Sequence, residues 1–449
     1  MHFNTDKQTL DDLNIIGKPG KDSIYTIFNN THTRGGAALL EQMFMHPLAD
    51  VKAINDRSRV IQYFSTIVTS FPFNNTLFDS AELYLDMEDE RTRLPREKET
   101  LAGKIRHLIA EDHQYKIISS GVAAIMELLH VLKNFLQTIR ETAMQTPYGP
   151  LIQEMELQLQ SEELMPVMAE KPSRKLSYEQ TAILDDLLRF RHRRILRRIL
   201  YQLYNLDVYI SVAGVARKNH FMFPEALDKE LHTLQLEEVY HPLVKNAVAN
   251  TLNMTPDSHV VFLTGANMAG KSTFMKSLGI AMYLAHMGFP VAAKKMSFSV
   301  RDGIYTTINL SDNLSMGSSH FYAEVLRVKK VAQELAASKS LFIIFDELFR
   351  GTNVKDACEA TIAITEAIAA KDNCMFIVST HIIEAGDVLQ ERCSNIQFTY
   401  LPTTMHNNVP KYTYKLKQGI TADRHGMVII NNEGILEIIN NRLINKAGS

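Results

Sequence analysis

Gly265–Ser272 reads GANMAGKS and directly follows the apolar run HVVFLT at His259–Thr264. Gly-x-x-x-x-Gly-Lys-Ser after a strand-like run is the pattern of a loop that wraps phosphate between a strand and a helix. Gly265 and Gly270 let backbone N–H groups approach phosphate oxygens, Lys271 has the reach for the outer phosphates, and Ser272 is positioned to hold Mg²⁺. The stretch therefore predicts a nucleoside triphosphate site in an α/β domain. An ordinary glycine-rich turn before a helix is the plainer alternative.

Two further segments belong with this loop. SLFIIFDE holds a buried-strand run, Leu341–Phe345, that ends in Asp346 and Glu347. A carboxylate at the carboxyl edge of a strand can hold a metal through water, and a second can orient or deprotonate the attacking water. Asp346 is assigned to the metal and Glu347 to the water. CMFIVST, Cys374–Thr380, is a third strand that ends in His381. At that edge a histidine can sense the γ-phosphate or position water; elsewhere it would be a packing or helix-start residue.

Between loop and carboxylates lies DNLSMGSSHFYAEVLRVKKVAQEL, Asp312–Leu335. Val325, Val328, Ala332 and Leu335 repeat at helical spacing, which puts Gly317, Ser318 and Ser319 at a helix N-terminus, an end that favours anions. One nucleotide is not readily gripped by both this end and its own phosphate loop, so the segment points to a second subunit's γ-phosphate. Plain N-capping by the serines is the structural alternative.

In order, TGANMAGKSTFMKSLG, DNLSMGSSHFYAEV, FDELFRGTN and STH resemble the ATPase domain of the MutS family of DNA mismatch repair proteins. The resemblance implies ATP and Mg²⁺ as ligands, with Gly265, Asn267, Met268, Gly270, Lys271, Ser272 and Thr273 in the loop. It also implies that Ser319 reaches the partner's nucleotide in trans, and it matches Arg350, Gly351 and Thr352 to the segment after the acidic pair. Implied partners are a second copy of the chain, mismatched or branched double-stranded DNA, and a MutL-like repair protein. Lys245–Met254 carries no aromatic residue where the family sets one against adenine, so the sequence names no stacking partner for a base there.

The chain has 449 residues, 45% of them hydrophobic, and a formal net charge of −2, which suits two or three globular domains and excludes a disordered chain. No global basic excess announces nucleic acid, so any DNA contact must come from local patches. Cys358, Cys374 and Cys393 lack C-x-x-C spacing and read as reduced thiols. The N-terminus lacks a signal pattern, and the apolar stretch Leu278–Ala293 is interrupted by His286, Gly288 and Pro290. A cytoplasmic, nucleoid-associated protein without a membrane span is expected.

The expected architecture is an all-α core and lever domain, residues 1–235, followed by an α/β P-loop (ABC-like) ATPase domain with a mostly parallel sheet, residues 236–449. Thr26–Phe64 opens the helical part, with Asn30 or Thr31 as cap, Gly35 and Gly36 allowing close packing, and Leu39, Leu40, Met43 and Phe44 as apolar face. This stretch, ending at His46-Pro47, also resembles the opening of the family's core domain. Glu97–Ala110, Ile117–Met144 and Tyr178–Val215 are lever-helix candidates. Residues 148–177 are too short for the family's strand-bearing clamp, and no room is left for its N-terminal mismatch-reading domain. Phe223-Pro224-Glu225 resembles the family's wedge tripeptide but reads as a turn. The tail, about 423–449, reads as two short helices for dimerisation.

LRFRHRRILRRIL crowds arginines on what reads as a single helix, and Arg191, Arg194 and Arg198 share a face able to neutralise DNA phosphates. The alternative is a solvated face paired with acids such as Glu162 and Glu163. Two further readings stay open. One is a nucleotide-switched scaffold without direct DNA binding. The other is a transporter-type ATPase, which the helical first half and the absence of a membrane segment disfavour.

Overall fold

Apolar residues at helical spacing carry the first half of the chain through α1 (Lys7–Asp12), α2 (Ile24–Phe28), α3 (Arg34–Met45), α4 (Val51–Ile67), α5 (Asn75–Asp86), α6 (Ala110–Ala143), α7 (Gly149–Leu159), α8 (Met165–Ala169), α9 (Tyr178–Asp185) and α10 (Arg193–Asn219). The structure, a computed structural model, describes residues 3–18, 20–94, 110–172, 176–308, 320–349, 351–406, 409–421, 434–436 and 438–439. Ser319, Gly317, Ser318, Arg350 and nearly all of the expected dimerisation tail lie outside the described residues.

The compact units do not follow a single cut near residue 235. One unit comprises Phe28–Met43 and Arg59–Lys218; the other comprises Met1–Ile27, Phe44–Ser58 and Asn219–Ser449. The reason the chain start joins the second unit is physical. Asn4 forms a parallel bridge to Gly303, and its N–H and C=O bond Asp302 O and Ile304 N at 2.7 and 2.9 Å, covering a strand edge that would otherwise stay open.

Within the helical unit α3 starts later than the sequence suggested. Thr33, not Asn30 or Thr31, caps it, its Oγ1 accepting from Gly36 N at 2.9 Å. The buried Asp207 carboxylate accepts from the backbone N–H groups of His32 and Thr33. Gly35 and Gly36 are needed for packing: a Cβ at Gly35 would come within 2.5 Å of the Tyr204 ring, and one at Gly36 within 2.5 Å of Asp207. Residues 148–177 form α7 and α8, with no strand among the described residues. His113–Ala143 of α6 is long and apolar enough to cross a membrane, yet half of its most apolar window is buried, as befits a core helix.

The arginine-rich stretch is not one continuous α-helix. After α9 the chain makes a π-helical turn over Asp186–Arg191 and re-enters α-helix at Arg193. The wide turn places Arg189 inside, at zero side-chain exposure, where its guanidinium meets Asp185 at 2.7 Å. Arg193, Arg197 and Arg198 pair with Glu88, Asp86 and Glu154, and Arg191 with Asp186 at 2.9 Å, so the partner acids are not Glu162 and Glu163. Arg194 is exposed and has no ion pair among the described residues.

The second unit builds two main sheets from β1 (Glu225–Leu227), β2 (Leu234–Val239), β3 (Asn250–Met254), β4 (Val260–Gly265), β5 (Lys295–Ser299), β6 (Gly303–Thr307), β7 (Leu341–Asp346), β8 (Met375–Ser379), β9 (Ile396–Leu401) and β12 (Lys417–Gln418), with β10 (Thr403–His406) and β11 (Val409–Tyr412) as a hairpin. The six-stranded sheet runs β12-β9-β4-β8-β7-β6, parallel throughout except for β12 against β9. Its central strands are buried at every position and mostly apolar, as strands covered on both faces must be. Helices α11 (Lys271–His286), α12 (His320–Ala336), α13 (Val354–Ala369) and α14 (Ile383–Arg392) supply the crossovers. A four-stranded sheet, β1-β5-β2-β3, is largely antiparallel. Phe223 and Pro224 carry no assigned turn, and Glu225 is the first residue of β1.

His286, at the end of α11, has zero exposure and a fixed tautomer. Its Nδ1–H donates to Met282 O at 2.7 Å, so Nε2 is free to accept from Arg301 N at 2.9 Å. Burial pushes its pKa down to about 4 from 6.5. A lowered pKa means that the unfolded state binds the proton first. Stability is therefore full above pH 6.5 and is lost as pH falls towards 4, by about 3 kcal/mol at most from this group. Melting temperature followed from pH 7 to pH 4 should fall less steeply in His286→Gln than in the parent; identical slopes would remove the assignment.

Candidate nucleotide site

At Gly270 the backbone has φ 98°, which favours glycine, and a Cβ there would lie 2.9 Å from the Tyr414 ring. The loop then enters α11 at Lys271 with no side-chain cap, whereas Asn353 caps α13 by accepting from Asp356 N. The first amides of α11 are thus left for an anion rather than for a neighbouring side chain. This steric and hydrogen-bonding arrangement fits a phosphate group.

The sheet brings the other predicted residues to the same end. Strands β4, β7 and β8 are parallel neighbours or near neighbours, so Gly265, Asp346 and Ser379 terminate together. Ser272 Oγ donates to Asp346 Oδ2 at 2.6 Å. The buried Lys271 ammonium donates to Gly265 O at 2.8 Å and lies 3.6 Å from Glu347 Oε1. On the other side of Glu347, His381 Nδ1 is 3.5 Å from Oε2, with the imidazole half exposed. Ser272 with Asp346, and Lys271 with Glu347 and His381, therefore form two sets of polar contacts at the same end of the sheet.

Glu347 has φ 49°, a left-handed conformation uncommon for a residue with a side chain, and its N–H donates to Ser379 O at 2.8 Å. That bond fixes the turn by which β7 ends and sets the carboxylate between Lys271 and His381. Strain of this kind persists where surrounding structure holds it in place.

A cavity of about 820 Å³ opens over the loop, lined by Asn267, Met268, Gly270, Lys271, Ser272, Thr273 and Glu347 together with Lys245–Val248 and Tyr414. Met268 is 78% exposed at φ 68°. Tyr414 is the residue that sequence reading missed. Its ring lies in the cavity lining against Gly270, and Asn250 Nδ2 donates to its carbonyl at 2.9 Å while Asn250 Oδ1 accepts from Leu416 N. Its one sequence signal was an aromatic pair, Tyr412 and Tyr414, in a short strand region near the tail. Among the described residues no group of three or more His, Cys, Asp or Glu forms a metal cluster. Ser272 and Asp346 would hold Mg²⁺ only with further oxygens from phosphate or water.

Comparisons with known proteins agree with the order of these elements. The family profile described as MutS domain III matches residues 8–213, and that described as MutS domain V matches residues 261–447. The DNA mismatch repair protein MutS of Persephonella marina is 29% identical over 286 residues, 63% of this chain and 32% of the relative. That of Staphylococcus haemolyticus is 31% identical over 243 residues, 53% of this chain and 27% of the relative. The protein of the same description from Listeria monocytogenes is 28% identical over 276 residues. The matched region thus spans about a third of the length of these relatives. With one family's profiles on both the helical and the nucleotide parts, the chain belongs to the MutS family.

Proposed function

We propose that this chain is a Mg²⁺-dependent ATPase that works as a dimer on mismatched or branched double-stranded DNA, with a P-loop ATPase domain of the ABC-like kind. The observation that carries the reading is the pairing of Ser272 with Asp346 beside that of Lys271 with Glu347 and His381, all at the ends of parallel strands. Lys271 and the uncapped first turn of α11 bind the phosphates. Ser272 and Asp346 hold Mg²⁺, which when bound neutralises phosphate charge. Glu347 orients water and takes its proton, and His381 steadies the Glu347 carboxylate from its far side. Ser319 completes the partner's site in trans.

Tyr414 is the surface for the base. Stacking on an aromatic ring is worth about 1–3 kcal/mol, so Tyr414→Ala should weaken ATP binding about tenfold while Tyr414→Phe stays near the parent. Nucleotide titration with a fluorescent ATP analogue checks this; equal affinities for all three proteins would remove Tyr414 from the site.

Family membership and the exposed Arg194 support DNA as the partner. A specific observation favours the scaffold alternative, namely the ion pairs that occupy Arg191 and Arg198. The deciding experiment compares binding of homoduplex, single-mismatch and four-way-junction DNA at two salt concentrations, and ATP turnover with and without each. Tighter binding to one of the two non-homoduplex substrates, with ATP turnover changed by it, is expected. Turnover indifferent to all DNA, with Arg194→Glu silent, would establish the scaffold instead. Dilution of the protein should lower turnover per chain if two copies form the site.

A further inference from the structure

Between β11 and β12 the chain holds more residues than the sheet can pair. Tyr412 pairs with Thr403 and Lys417 with Tyr400, so residues 413–416 face only Leu401 and Pro402. Pro402 has no N–H to donate, and an antiparallel ladder cannot run through it unbroken. The surplus bulges out. Tyr414 stands in this bulge at φ 55°, left-handed backbone that is uncommon for a residue with a side chain.

Asn250, the first residue of β3 in the other sheet, makes the bonds that the ladder does not. The side chain is buried, with its residue only 6% exposed. Its Nδ2 donates to Tyr414 O at 2.9 Å and to Val248 O at 3.3 Å, while its Oδ1 accepts from Leu416 N at 2.8 Å. Carbonyls on one side and an N–H on the other leave the amide a single orientation. One buried side chain therefore grips the bulge on the exit side of Tyr414, at its carbonyl and at the amide two residues on. Lys415 adds a second tie from the same bulge, donating to Ala249 O at 2.6 Å.

The ring of Tyr414 is what this grip positions. It lies against Gly270, where a Cβ would come within 2.9 Å of it, and it lines the cavity over the phosphate loop. Strained backbone persists where the surroundings hold it, and it collects at functional sites. A bulge made only to close the sheet would carry glycine or asparagine at such a φ. Here it carries a large aromatic ring set against the loop.

We infer that Asn250 is the positioning residue of the nucleobase subsite: it holds the bulge so that the Tyr414 ring stays over the loop, and so controls the share of nucleotide affinity that comes from the base. The role rests on Tyr414 as the surface for the base. Asn250 touches no phosphate-loop residue in the hydrogen bonds above, so phosphate capture is left to the loop itself.

The test is a double-mutant cycle on the full chain, read with Mg²⁺-ATP and with Mg²⁺-tripolyphosphate, which offers phosphates without a base. Asn250→Ala should weaken ATP binding about fivefold, somewhat less than Tyr414→Ala, because the ring remains but is no longer held. Tripolyphosphate affinity should stay within about twofold of the parent in both variants, whereas general damage to the domain would lower both ligands together. Adding Asn250→Ala to Tyr414→Ala should cost nothing further, since a residue that acts through the ring has no effect once the ring is gone. Additive losses, tripolyphosphate falling in step with ATP, or an Asn250→Ala protein that binds ATP like the parent would each overturn the role. If Asn250→Ala does not fold, Asn250→Asp enters the same cycle, because it keeps the size and the acceptor for Leu416 N and removes the donor to Tyr414 O. Loss of affinity at Tyr414 without loss at Asn250 would sink the positioning role alone; a Tyr414→Ala protein that binds ATP like the parent would sink the base surface and the role together.

Discussion

Replacing Glu347 with glutamine should lower ATP turnover by about 100-fold to 10,000-fold while leaving nucleotide binding intact. The substitution keeps the size of the side chain and its position at the end of β7, which the bond from Glu347 N to Ser379 O maintains. What it removes is the carboxylate that accepts a proton from water. It also removes the negative partner 3.6 Å from the Lys271 ammonium. Freed from that attraction, Lys271 is more available to phosphate, so ATP affinity should hold or rise. Steady-state turnover together with nucleotide titration separates the two effects. Turnover equal to the parent would show that Glu347 does not activate water. His381→Ala should cost far less, about tenfold, because His381 acts only through the Glu347 carboxylate.

The parts of the site that sequence disclosed are those whose chemistry is local. A phosphate loop is one continuous octapeptide, and Asp346, Glu347 and His381 each end an apolar run short enough to read as a strand. Parallel pairing then brings those ends together without further information. Tyr414 was not legible, because it is brought to the loop by the return of the chain through β9, β10 and β11, a long-range contact with no periodic signature. Thr33 displaced Asn30 and Thr31 as the cap of α3 because Asp207, about 175 residues away, orients the turn. Local capping rules had no access to that carboxylate.

The arginine-rich stretch failed differently, since its sequence did contain the missing signal. Asp185 stands four residues before Arg189, the spacing of an intrahelical ion pair, and Asp186 lies five before Arg191. The acids weighed as partners, Glu162 and Glu163, lie well before the arginines, while Asp185 and Asp186 stand directly beside them. The π-helical turn over Asp186–Arg191 shifts the register so that Arg189 points into the helical unit.

There Arg189 is the hub of a buried network, and its loss should produce the largest stability change. Its guanidinium donates to both Asp185 oxygens, to Thr92 Oγ1 at 2.7 Å and to the carbonyls of Thr92 and Met87. Tyr84 donates its hydroxyl to the same Asp185 at 2.9 Å. Arg189→Ala would leave a carboxylate at zero exposure with no cation, which costs about 3–5 kcal/mol. Most of that cost is the stranded charge and not the lost attraction, so adding Asp185→Asn to Arg189→Ala should recover a part of it. Arg194→Ala, at an exposed position, should change stability by no more than about 0.5 kcal/mol. Urea denaturation monitored through the helical signal measures all three. An Arg189→Ala protein as stable as the parent would mean that Asp185 is neutral or solvated in solution, and the buried pair would lose its place in the fold.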